Sequence, residues 1–122
     1  MPYPRGDRSA AVVDWGAGER RRRHLAAELE RIVQALPNLG VRRALVFGSL
    51  ARGEVRGRSD LDLIVIVDTA EPFAERCARF YAALEPRVGT DLLVYTPSEF
   101  EHMRDRPFLR HALRDARIIY EA

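Results

Sequence analysis

The sequence predicts an α+β domain, α/β-like in its alternation, in which a small mixed β-sheet of three to four strands is flanked by helices. Segments with apolar residues at helical spacing alternate with short apolar runs bounded by turn residues. One of those runs, Leu63 to Val67, is apolar at every position, as in a strand covered on both faces and central in its sheet. The 122 residues suffice for one packed core but not two, and 47% hydrophobic with 31% charged residues is a globular balance.

Along the chain, residues 1–18 mix Pro, Gly, Arg and small residues without a sustained period, apart from the apolar patch Ala10 to Val13 and Trp15. They read as a flexible N-terminal arm, ordered against a partner, leaving 19–122 as a single domain. From Glu19 to Leu36, Leu25, Leu29, Ile32, Val33 and Leu36 recur at helical spacing, and Pro37, Asn38 and Gly40 supply a stop. The run Arg20 to Arg23 followed by His24 opposes the helix dipole, so it is a solvated face, a phosphate-binding patch or, as the better alternative to a solvated face, a partner contact rather than a helix-stabilising device. Val41 to Phe47 reads as a strand ending abruptly at Gly48-Ser49, Leu50 to Glu54 as a short helix, and Arg56 to Ser59 as a polar turn. Pro72 to Leu84 is a second amphipathic helix with Phe73, Cys77, Phe80 and Leu84 on one stripe. Asp91 to Tyr95 gives a third strand, and Thr96-Pro97-Ser98-Glu99 starts one or two short helices that Pro107 interrupts. Their apolar stripe, Phe100, Met103, Leu109 and Leu113, reads as core or interface, and Arg117 to Tyr120 as an edge strand.

Composition excludes several classes. No run approaches the roughly 20 apolar residues of a membrane span, and Met1 to Gly18 lacks a signal peptide's apolar core, so a cytoplasmic location is the expectation. The single cysteine, Cys77, cannot form an internal disulfide and reads as a small core-facing residue. All 20 basic residues are arginine; this suits bidentate contacts to phosphate or carboxylate, but a net charge of +2 gives no argument for direct nucleic-acid binding. His24, His102 and His111 lack metal-ligand spacing, and no arrangement suggests a covalent nucleophile.

The chemistry concentrates between Val46 and Val67. Asp60 and Asp62 stand at the mouth of an apolar strand, whose two-residue repeat puts them on one face, about 6 to 7 Å apart at the backbone. Two carboxylates so close repel each other unless both reach one divalent cation, and magnesium favours such oxygen ligands together with substrate phosphates. The pair can also be polar turn residues that announce a strand. Upstream, however, Gly48 lets backbone amides approach an anion, and the Ser49 hydroxyl with the following helix can hold a phosphate oxygen. Phosphate donors facing metal-binding carboxylates are what phosphoryl-type transfer requires.

Gly48-Ser49, ten intervening residues, then Asp60-Leu61-Asp62 resembles the signature of the DNA polymerase beta-like nucleotidyltransferase superfamily. The fuller string, with Ala51, Arg52, Gly53 and Ser59, is similar to its minimal nucleotidyltransferase branch. The resemblance implies that fold over residues 19 to 120, with Gly48 and Ser49 on the triphosphate of ATP and Asp60 and Asp62 holding two magnesium ions. It implies a third carboxylate on a neighbouring strand as metal ligand or base, a place Asp91 fits, although a turn-capping aspartate fits too. Arg52 matches a family position, where it touches phosphate or pins the loop.

Larger members carry a further domain that presents the acceptor; here the motif-bearing domain fills nearly all of the chain, so the acceptor is expected from elsewhere. Members of the minimal branch pair with a HEPN-type toxin, which they counteract as antitoxin by binding it or by transferring AMP from ATP to a tyrosine. The resemblance therefore implies an antitoxin that is a protein adenylyltransferase, within a homo- or hetero-oligomer. Transfer to a small molecule such as an aminoglycoside and a non-catalytic binding antitoxin are the alternatives.

Overall fold

Helix α1 (Ala17–Ala35) starts two residues before the predicted Glu19. The reason is tertiary: Gly18 lies so near the following loop that a Cβ there would stand 2.8 Å from the Val55 carbonyl oxygen, a packing that helix propensity does not register. The computed structural model describes residues 16–122, so all of the expected N-terminal arm except Gly16, Ala17 and Gly18 lies outside the described residues.

A 3-10 turn, Leu36–Leu39, and Gly40 in the left-handed region (φ 72°) lead into β1 (Val41–Phe47). There follow α2 (Gly48–Arg52), β2 (Leu61–Val67), α3 (Phe73–Leu84), β3 (Thr90–Tyr95), α4 (Pro97–Met103), α5 (Pro107–Ala112) and β4 (Arg117–Glu121). The four strands form one mixed sheet in the order β3-β2-β1-β4, with β2 and β3 parallel and β1 antiparallel to both of its neighbours. The all-apolar β2 is interior, as its composition predicts.

Strand alternation divides the core in two. Leu61, Leu63, Val65 and Val67 of β2, with Leu92 and Val94 of β3, pack under Leu25, Ile32 and Leu36 and under Phe80 and Leu84 of α3. On the other face Leu45, Phe47, Ile64, Ile66 and Tyr95 meet Phe100, Leu109 and Ala112, so the stripe on α4 and α5 is core. A capping box, in which the Thr96 hydroxyl accepts from the Glu99 amide and the Glu99 carboxylate accepts from the Thr96 amide, starts α4 where its sequence predicts.

Other expectations shift as well. Strand β2 begins at Leu61 rather than Leu63, because Leu61 and Asp62 already pair with Thr90 and Asp91. Helix α2 begins at Gly48 rather than Leu50, since a positive φ (73°) turns the chain directly after the last residue of β1. On α3 the stripe is broken: Arg76 takes a buried place, donating to the Glu71 carbonyl at 3.0 Å and paired with Glu99, while Phe73 is 42% exposed over the Tyr95 ring. Cys77 is half-buried at the edge of the core. Among the described residues no helix is long and apolar enough to cross a membrane.

Candidate active site

The sheet register brings the site together. Phe47, Asp62 and Asp91 stand opposite one another on β1, β2 and β3, and the same face continues in rows Leu45–Ile64–Leu93 and Arg43–Ile66–Tyr95. The lower rows are mostly packed beneath α4 and α5, so the carboxylates occupy the end of this face where the helical cover stops. Asp62 is half-buried and Asp91 exposed.

Two glycines make room for the acids. A Cβ on Gly48 would lie 2.1 Å from Asp62 Oδ2, so the turn from β1 into α2 passes directly against that carboxylate. A Cβ on Gly89 would lie 2.4 Å from Asp60 Oδ1. Asp60, just ahead of β2, is thus seated on the turn that leads into β3. Its Oδ1 is also 3.8 Å from the Arg21 guanidinium, whose Nε donates to the Ser59 carbonyl at 2.8 Å. Ser59 closes its own loop by accepting from the Arg56 amide at 2.8 Å through Oγ.

Electrostatically the acids form one unit. Burial, the Asp91 carboxyl within hydrogen-bonding reach, and the charges of Asp91 and Asp60 together push Asp62 up from 3.8 to about 6, with Arg52 opposing. Such a group resists a second negative charge and gains from a cation. Asp62 and Asp91 are adjacent hard oxygen donors of the kind magnesium takes, and Asp60 is close enough to act on Asp62 electrostatically, so the residues present fit a divalent cation. Among the described residues no three Asp, Glu, His or Cys groups form a ready-made metal cluster, and the Asp60 carboxylate is drawn toward Arg21.

Ser49 opens the first turn of α2, where Phe47 offers no side-chain cap and first-turn amides have no intrahelical acceptors. Arg52 Nε donates to Glu54 at 2.7 Å, and its charge also acts on Asp62. Beside Asp62 and Asp91 opens a cleft of about 620 Å³, walled by Phe47, Cys77, Tyr81, Leu93 and Phe108.

Sequence reasoning missed two parts of this arrangement. Gly89 belongs to no motif in the sequence, and its partner Asp60 lies far back along the chain. Arg21 was one of four equivalent arginines in the sequence; helix phase selects it, while Arg22 pairs with Glu19 at 2.6 Å and Arg23 lies 3.5 Å from the same carboxylate.

The sequence profile of the family described as Polymerase beta, Nucleotidyltransferase matches residues 21–122. No curated protein sequence matches the chain. Among solved structures, a Sulfolobus solfataricus protein described as a candidate nucleotidyltransferase superposes with a TM-score of 0.64 at 15% identity, over 91% of this chain and 93% of that one. A chain of a toxin-antitoxin structure with AMP-PNP gives a TM-score of 0.50 at 18% identity, over 77% of this chain and 73% of that one. At these identities the likeness is one of fold.

Proposed function

The chain belongs to the polymerase beta nucleotidyltransferase family, and from that premise we propose that it moves AMP from ATP to a hydroxyl of a partner protein with magnesium bound at its aspartates. The observation that carries this reading is the carboxylate pair Asp62 and Asp91, facing each other across β2 and β3 with Asp60 alongside and Gly48 against Asp62. Asp60, Asp62 and Asp91 would hold the metal, which when bound neutralises phosphate charge as the α-phosphorus is attacked.

The other steps belong to the chain's own groups. The Ser49 hydroxyl and the first-turn amides of α2 donate to triphosphate oxygens. Asp91, exposed toward the cleft, accepts the proton of the acceptor hydroxyl as its oxygen bonds to the α-phosphorus and the bond to pyrophosphate breaks. Arg52, bonded to Glu54 and near enough for its charge to act on Asp62, pins the loop and adds positive charge beside the triphosphate.

The walls of the cleft favour an aromatic acceptor over a small polycation. Apart from Asp62 and Asp91 its side chains carry no charge, and Phe47, Tyr81, Leu93 and Phe108 suit the ring of a tyrosine. An aminoglycoside, with several ammonium groups to satisfy, finds too few acids there. We take the partner to be a HEPN-type toxin and the chain its antitoxin; the fold shared with a toxin-antitoxin structure containing AMP-PNP supports this. A cytoplasmic setting, rich in ATP and magnesium, goes with it.

Co-expression with the product of the adjacent gene tests the reading. Mass spectrometry of that partner is expected to find one or more added AMP units on a hydroxyl side chain. A stable complex whose partner carries no added mass would overturn the enzymatic reading in favour of a binding antitoxin.

A further inference from the structure

Asp91 is held by the β2–β3 ladder opposite Asp62, but Asp60 precedes β2 and is outside that ladder. Its carboxylate is bounded instead by Gly89 and by Arg21. Where Asp60 can lie therefore depends on where Gly89 lies, and hence on what holds the turn between α3 and β3.

One end of that turn is fastened by the Leu61 amide, which donates to the Gly89 carbonyl at 2.9 Å. The other end is fastened from α1. Glu28 is only 5% exposed, and its carboxylate accepts from the Arg87 amide at 2.6 Å and from Arg31 Nε at 2.7 Å and Nη2 at 2.9 Å. Arg31 Nη2 also donates to the Leu84 and Glu85 carbonyls at 3.0 and 3.1 Å, groups that the end of α3 leaves without helical partners. Glu85 itself is in the left-handed region (φ 45°), which a non-glycine residue adopts only under constraint. A buried carboxylate and its arginine thus grip a strained turn at its start, and the far end of the same turn supports Asp60.

We infer that Glu28, acting with Arg31, is a positioning residue for Asp60: it fixes the turn so that Gly89 keeps the Asp60 carboxylate in range of Asp62. The inference rests on the reading of these aspartates as ligands of a divalent cation. Neither Glu28 nor Arg31 would touch metal or substrate.

Titration of Mn²⁺ into the full chain, followed by calorimetry well below the melting temperature, tests it. Glu28→Gln keeps an acceptor for the Arg87 amide but loses the charge pairing; Arg31→Lys keeps the charge but cannot span Glu28 and both carbonyls. Each is expected to weaken Mn²⁺ binding by about three- to ten-fold, the scale for ordering one side chain that the turn otherwise holds in place. On an Asp60→Asn background neither should change it. Lower melting temperatures with unaltered Mn²⁺ affinity, or equal weakening on both backgrounds, would overturn the inference. If Glu28→Gln does not fold, Arg31→Lys decides the comparison. Absence of Mn²⁺ binding by the wild-type chain would remove the ligand reading and the inference with it, whereas binding that both variants match would remove the inference alone.

Discussion

At Gly48 two demands coincide: a left-handed backbone (φ 73°) and an approach to Asp62 that leaves no space for a methyl group. Gly40 meets only the first, having the same backbone region (φ 72°) and nothing within 4 Å of the place a methyl group would take. Gly40→Ala and Gly48→Ala should therefore each lose about 1–2 kcal/mol of stability from backbone strain, read as a shift of the urea midpoint. Only Gly48→Ala displaces a carboxylate, so only it is expected to lower AMP transfer, by about a hundred-fold for a misplacement near 1 Å. Equal transfer by the two variants would mean that Asp62 does not need its observed position.

Legibility at this scale was uneven for a physical reason. Gly48, Ser49, Asp60 and Asp62 lie within one short segment, so their types and spacing are visible in the chain itself. Gly89 matters through contact with Asp60, and Arg21 through helix phase, and neither contact leaves a local pattern.

Among the elements, α1 is the one whose importance was least visible. Its apolar spacing predicts a core-packing helix, which it is, but a single Glu28 on the buried side leaves that spacing intact and carries no signal of its own. Hydrogen bonds from Arg31, outweighing the cost of burial, hold Glu28 down from 4.5 to about 2. A carboxylate whose folded-state value is depressed contributes stability above its unfolded value, and that contribution is lost as pH falls through the folded one. Glu28→Gln should therefore be less stable than wild type by about 2 kcal/mol near neutrality. In urea titrations the gap is expected to close between pH 4.5 and about 2 as the wild-type carboxylate protonates. A gap independent of pH over that range would show that the charge of Glu28 contributes nothing. Element types were otherwise well marked, down to the Thr96–Glu99 capping box, whereas ends moved wherever a partner strand or loop extended them, as Thr90 and Asp91 do for Leu61 and Asp62.

For the molecule as a whole, the central place of β2 was readable because a strand covered on both faces needs apolar residues at consecutive positions. The order β3-β2-β1-β4 was not, since short strands carry no label for their neighbours. That order is what sets Asp91 beside Asp62: a parallel β2–β3 pair, joined through α3, brings the two acids to the same level at the same end of the sheet. Gly48 reaches the same point from the antiparallel neighbour β1, so three separate parts of the chain converge there. The convergence gives the fold its proposed use, a phosphate-facing turn opposite clustered acids beside an apolar cleft. The most direct measurement is transfer of label from ATP carrying a labelled α-phosphate to the co-purified partner, with magnesium present, by wild type and by an Asp60→Ala, Asp62→Ala double variant. Wild type is expected to label the partner and the double variant to fall by about a thousand-fold, the scale on which loss of transition-state charge stabilisation acts. Undiminished labelling by the double variant would contradict the assignment of catalysis to these acids.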